Sequence, residues 1–176
     1  MKTIAAIIMI SLGGLFTSSI YTKQFTNLSG TQISMAQYQG KKMLIVNIAS
    51  GSEYAAVQIP QLQQLYQQYK DSVVVIAFPS NDFGKEPRTD ANLKLLLQNT
   101  YHTTFPVSLR TGVKDSTATT HAVYQWLQRQ TENGSMGMKV KTDFQKYLID
   151  KDGTIIAVFG ASTKPLDNAI KNAITQ

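Results

Sequence analysis

The sequence predicts an α/β domain: a central mixed sheet with helices on both faces and a small N-terminal β-hairpin. Three observations carry that expectation. Residues 42–49 and 73–78 are near-continuous apolar runs, the pattern of strands covered on both faces. Between them Ile59, Leu62, Leu65, Tyr66 and Tyr69 recur every three or four residues, the spacing of a helix with one buried stripe. Near the C-terminus Asp152-Gly153 separates two further apolar runs, and Asp-Gly there is a hairpin turn that demands an antiparallel pair.

In chain order the first feature is a targeting segment. Lys2 precedes an apolar run over residues 4–16 and then Thr17-Ser18-Ser19. A short positive region, an apolar stretch too brief to span a bilayer and small residues suited to cleavage predict a signal peptide over 1–19. The expectation is an exported protein, periplasmic or secreted, whose single domain covers 20–176 and keeps no stable membrane span once the leader is cut; an uncleaved membrane tether is the alternative. Residues 24–28 and 31–34 flank Asn27-Leu28-Ser29-Gly30 as a hairpin, and one helical turn over 34–38 closes at Gly40.

The strand over 42–49 follows, then a polar loop, then helix one from about residue 55 to 69, with Pro60 tolerated only in its first turn. Strand, helix and strand in this order imply a right-handed crossover and a parallel pair. Thr89 or Asp90 caps a second helix running to residue 99, with Leu93, Leu96 and Leu97 facing inward. Residues 105–107 are extended, and a third helix covers about 120–130. The closing hairpin spans 144–160. Ser162 or Thr163 caps the last helix, whose stripe is Leu166, Ile170, Ala173 and Ile174. A β-α-β half followed by an α and a hairpin-α half describes a thioredoxin-like fold. The antiparallel hairpin argues against a doubly wound, all-parallel sheet.

Composition narrows the function classes. Seventeen Lys and Arg against 11 Asp and Glu give a net charge of +6. The basic residues are scattered and not interleaved with stacking aromatics, so a basic soluble surface is expected and no nucleic-acid partner. The chain has no cysteine, which removes thiol nucleophiles, redox pairs and zinc–thiolate sites together. The Asp150-x-Asp152-Gly153 pattern lacks the remaining ligands of a calcium loop and reads as turn chemistry.

Chemistry in such sheets is done beyond the strands' C-terminal ends. There the sequence offers Ser52, Glu53 and Tyr54 after the first strand and Pro79-Ser80-Asn81-Asp82-Phe83-Gly84 after the second. Leu44-Ile45-Val46-Asn47-Ile48-Ala49-Ser50, Phe78 to Gly84, Phe105-Pro106, His121-Ala122-Val123-Tyr124 and the run from Phe144 to Gly153 resemble, in this order, the signature blocks of the glutathione peroxidase family. The resemblance covers nearly all of 24–174. It implies thiol-dependent reduction of hydrogen peroxide and organic hydroperoxides, and the segment over 130–138 is similar to the compact, monomeric members.

The resemblance also places the family's reactive chalcogen at Ser52 and its supporting Gln, Trp and Asn donors at Asp82, Thr142 and Asp143. Ser80 stands where many relatives carry a resolving cysteine. A serine oxygen has no sulfenate-type oxidation state, and its pKa lies far above neutrality. A helix N-terminus offers about 1 kcal/mol to an anion there, under one pKa unit. Carboxylates in place of amide donors would repel a thiolate. The expectation is a catalytically degenerate member with no cofactor and no metal. The alternative is a cation- or small-ligand-binding module using Glu53, Asp82 and Asp143 beside Ser52. His102 and His121 read as structural residues, not as a base for Ser52.

Overall fold

The computed structural model describes residues 18–116 and 118–176. The expected leader lies outside these residues except for Ser18 and Ser19. The Ser18 carbonyl accepts from the Trp126 indole at 2.5 Å, and Ser19 caps a short 3-10 turn, Ile20–Thr22.

Strands β1 (Gln24–Thr26) and β2 (Gln32–Ser34) form the N-terminal hairpin, followed by a 3-10 turn over Met35–Tyr38. The central sheet has four strands in the order β4-β3-β5-β6: β3 (Lys42–Ile48), β4 (Val73–Pro79), β5 (Lys146–Ile149) and β6 (Ile155–Phe159). β3 runs parallel to β4 and antiparallel to β5, and β5 runs antiparallel to β6. Gly153, at φ 91°, closes the β5–β6 hairpin in a conformation that favours glycine. This is the thioredoxin-like mixed sheet that the sequence predicts.

Period-two alternation divides the buried strands between two cores. Leu44, Val46 and Ile48 of β3 and Val73, Val75 and Ala77 of β4 pack against α1 (Ala55–Gln68), α2 (Asp90–Asn99) and α5 (Asn168–Thr175). Met43, Ile45, Val74, Ile76 and Phe78 point the other way, onto α3 (Ala122–Gln128) and the N-terminal segment. Every residue of β3 and β4 is buried, so both faces are covered and the continuous apolar runs are explained. A short turn of helix, α4 (Gln130–Asn133), ends at Gly134 in the left-handed region.

Two helix expectations need correction. Pro60 lies inside α1 and not in its first turn, because the helix already starts at Ala55. Without an amide it leaves the carbonyl four residues back without its helical donor. The last helix begins at Asn168, after the N-cap Asp167, and not after Ser162 or Thr163. Lys164 and Asp167 instead close a turn: the Asp167 carboxylate accepts from the Lys164 amide at 2.8 Å, and the Asp167 amide donates to the Lys164 carbonyl at 3.0 Å. Leu166 still packs on the core, but from that turn.

Candidate functional site

The site is built where β3 stops. After Ile48 the chain turns through Ala49-Ser50-Gly51-Ser52, and the Ser52 amide donates back to the Ala49 carbonyl at 3.1 Å. Gly51 must be glycine, since a Cβ there would lie 2.8 Å from the Lys85 carbonyl oxygen, which already accepts from the Gly51 amide at 2.9 Å. The loop after β3 and the loop after β4 are thereby pressed together.

A buried carboxylate fastens the two loops. Glu86 is 1% exposed; its carboxylate accepts from the Ser50 amide and the Ser50 hydroxyl, each at 2.6 Å, and from the Arg88 amide at 3.1 Å. The Arg88 guanidinium donates to the Ser50 hydroxyl at 2.7 Å, and the Glu86 amide donates to the Asn81 side chain at 3.0 Å. A carboxylate out of water is tolerable only when so supplied with donors. Glu86 carries no periodic or spacing signal of its own. The Gly84-Lys85-Glu86-Pro87 run beyond the β4 loop is the one hint that the sequence offers.

Ser52 is buried at the head of α1. Its hydroxyl donates to Glu53 at 3.4 Å and accepts from the Tyr54 amide at 3.5 Å. Glu53 points to solvent and pairs with Lys85 at 2.5 Å. That hydrogen bond holds the Glu53 carboxyl below its ordinary range and raises the Lys85 ammonium.

Asp143 arrives from the other side of the sheet, on the segment that leads into β5. The Asn47 side chain donates to the Thr142 carbonyl at 3.0 Å, and the Phe144 amide donates to the Asn47 carbonyl at 2.7 Å. Phe144 takes φ 58°, a left-handed turn that non-glycine residues rarely adopt. Asp143 itself is fully buried, and neither of its carboxyl oxygens has a hydrogen-bond partner. Burial raises its pKa; Lys85 opposes the rise, Glu53 and Glu86 add to it, and Ser52 opposes it.

The sequence-expected residues are therefore only partly brought together. Ser52, Glu53 and Asp143 share one neighbourhood, with Lys85 paired to Glu53 and its charge also felt by Asp143. Asp82 is engaged elsewhere: its carboxylate accepts from the amides of Val113 and Lys114 at 2.6 and 2.7 Å. Thr142 contributes its carbonyl to Asn47. The expected cluster of Glu53, Asp82 and Asp143 is thus corrected. Among the described residues no group of three or more His, Asp or Glu has the spacing to hold a metal ion. Ser80 is buried, its hydroxyl accepting from the Asp82 amide at 3.2 Å. His121 caps α3, its Nδ1 accepting from the Val123 amide at 3.2 Å, and burial lowers its pKa. His102 sits exposed on the loop after α2 at φ 51°. Neither histidine is hydrogen-bonded to Ser52.

Ser52 thus has one ion-paired carboxylate and one buried, unpaired carboxyl beside it, with no imidazole base. That arrangement can take a hydrogen-bond donor, but it disfavours an anion. The glutathione peroxidase family model matches residues 20–128. Over 165 residues the chain is 34% identical to glutathione peroxidase-like peroxiredoxin 2 of Saccharomyces cerevisiae, covering 91% of this chain and 99% of the relative. Over 174 residues it is 33% identical to probable glutathione peroxidase 5 of Arabidopsis thaliana, covering 94% and 99%. The crystal structure of Trgpx in apo form matches with a TM-score of 0.66 at 30% identity, over 90% of this chain and 97% of that one. A thiol:disulfide interchange protein from Chlorobium tepidum matches at 0.61 and 17% identity over 90% and 97%, a likeness of fold alone.

Proposed function

The chain belongs to the glutathione peroxidase family, and from that premise we propose that it is a member whose thiol chemistry has been lost. The observation that carries this reading is the absence of any cysteine, with Ser52 at the position that the family resemblance assigns to the reactive chalcogen. Peroxide reduction by a thiol proceeds as R–SH + HOOH → R–SOH + H2O, after which a second thiol reduces the sulfenic acid. The serine hydroxyl cannot enter that cycle, because its oxygen has no higher state from which a thiol could return it. What remains is the scaffold with its loop pole intact, serving as a binding or stress-associated module.

The test is a coupled assay of the unmodified protein with hydrogen peroxide or an organic hydroperoxide, using glutathione or thioredoxin as reductant. The expected rate equals that of a heat-denatured control. Enzyme-dependent turnover with either reductant would overturn the reading.

A second reading keeps the site as a small-ligand or cation pocket using Glu53, Asp82 and Asp143. The observation in its favour is the pair of orphaned Asp143 oxygens, since buried acceptors without partners are costly. Against it, Glu53 is held by Lys85 and Asp82 by the amides of Val113 and Lys114. Thermal unfolding with calcium or magnesium decides: a ligand at 100 times its dissociation constant stabilises by about 2.7 kcal/mol. We expect no shift. A saturable shift lost in Asp143→Asn would favour the pocket.

A further inference from the structure

We propose that Met138 is a site of reversible oxidation by peroxides, with Met136 the next to react. With no cysteine in the chain, every sulfur atom belongs to one of six methionines. Met1 and Met9 lie outside the described residues, and the fold divides the other four. Met35 and Met43 are both 0% exposed, whereas Met138 is 46% exposed and Met136 is partly exposed. Oxidation of a thioether follows the oxidant's access to its sulfur, so the segment between α4 and β5 meets peroxide first.

The sulfur lone pair attacks one peroxide oxygen and the O–O bond breaks: R–S–CH3 + HOOH → R–S(=O)–CH3 + H2O. The sulfur gives up two electrons and the peroxide takes them. Two equivalents of an external thiol, acting through a methionine sulfoxide reductase, return the thioether and release water and a disulfide. Ser52 enters neither step, so this proposal and the loss of thiol chemistry are decided by different measurements.

Buried side chains hold the backbone of the segment. The Asn133 amide nitrogen donates to the Met136 carbonyl at 2.9 Å, and its oxygen accepts from the Met136 amide at 3.1 Å. The Tyr147 hydroxyl donates to the Met138 carbonyl at 2.5 Å. Gln128 accepts from the Val140 amide at 2.8 Å, and Gln145 from the Lys141 amide at 3.1 Å. None of these bonds involves a thioether, so an oxygen added to the exposed Met138 sulfur breaks none of them. Met136 differs, because its side chain packs against the core that holds Met35 and Met43. A sulfoxide there sets a polar oxygen against apolar neighbours. Oxidation of Met138 is therefore structurally silent, and oxidation of Met136 is not.

The full chain is treated with excess hydrogen peroxide, and sulfoxide at each methionine is followed by tandem mass spectrometry. Met138 should react first, Met136 second, and Met35 and Met43 at least roughly tenfold more slowly, because they react only through opening of the fold. In denaturant the four rates should converge. Met138→Leu should abolish the first uptake and leave the other three rates unchanged. Sulfoxide at Met138 alone should not move the thermal midpoint, whereas added sulfoxide at Met136 should lower it by about 2–4 °C, the response of a chain of this size to a modest packing loss. A methionine sulfoxide reductase with dithiothreitol should restore the original mass. Met35 or Met43 reacting as fast as Met138 in the folded protein would overturn the proposal. So would an unmodified Met138, or a sulfoxide there that the reductase leaves in place.

Discussion

Ser52→Cys should give a protein that consumes a single equivalent of hydrogen peroxide slowly, and adding Asp143→Asn should speed that step roughly ten- to a hundredfold. The nucleophile is the thiolate, so the rate follows the fraction of the introduced thiol that is ionised. Asp143 is fully buried, unpaired and adjacent, and burial raises its own pKa. A carboxylate beside the thiol would disfavour the thiolate, so the two ionisations would oppose each other. An asparagine of the same shape removes the competing charge and supplies an amide donor. One to two units off the thiol pKa is one to two decades of thiolate while that pKa stays above the working pH.

Glu53 provides the internal control. Its charge is already balanced by Lys85 at 2.5 Å and faces solvent, so Glu53→Gln in the Ser52→Cys background should change the rate far less. Single-turnover peroxide consumption measures all three variants without a reductant, and ultraviolet titration of the thiolate reports the pKa directly. A fast Ser52→Cys protein, unimproved by Asp143→Asn, would show that the buried carboxyl is harmless to the chemistry.

Asp82 plays no part in that comparison, although its position in the family pattern suggests a carboxylate facing the reactive residue. The structure turns it instead to the amides of Val113 and Lys114. A short polar side chain in a loop goes to whichever free backbone amides the fold happens to bring near it, and no local pattern encodes where those amides are. The strands were legible for the opposite reason: Leu44, Val46 and Ile48 against Met43 and Ile45 are partitioned by a strict two-residue period. The Asp152-Gly153 turn fixed an antiparallel pair in the same local way. The start of the last helix was not legible, because Ser162, Thr163 and Asp167 all fit a cap by type. The turn that Asp167 closes with Lys164 decides among them. Buried ionisable groups were invisible altogether. Glu86 and Lys146 sit in polar or mixed sequence, and only the donors and acceptors gathered around them from distant segments make their burial possible.

Lys146 carries the second large effect. Its side chain is fully buried in β5, and the amine donates to the carbonyls of Phe144 and Thr163 at 2.8 and 2.7 Å. Two acceptors match the two N–H groups of a neutral amine; a charged ammonium would carry a third donor for which no partner is seen among the described residues. Burial accordingly pushes the pKa down from 10.5 to about 7, with Asp167 opposing. The sign follows from proton counting. Between about pH 7 and 10.5 the unfolded chain holds a proton on Lys146 that the folded chain does not, so unfolding free energy rises with pH. The group's contribution is fully present above about 10.5 and is lost as pH falls towards 7. The slope is about 1.4 kcal/mol per pH unit, hence about 2–3 kcal/mol between pH 7 and 9. Lys146→Met removes the titration but orphans two carbonyls, costing about 1–3 kcal/mol for each. The variant should therefore be less stable than wild type at pH 9, with the gap narrowing by about 2–3 kcal/mol at pH 7. Denaturant unfolding of both proteins at the two pH values measures this, and a gap independent of pH would mean that the amine stays charged in the fold. The consequence reaches the site, because the carbonyl that Lys146 holds belongs to Phe144, the left-handed residue next to Asp143. The amine that destabilises the fold at neutral pH thus helps to keep the buried carboxyl beside Ser52.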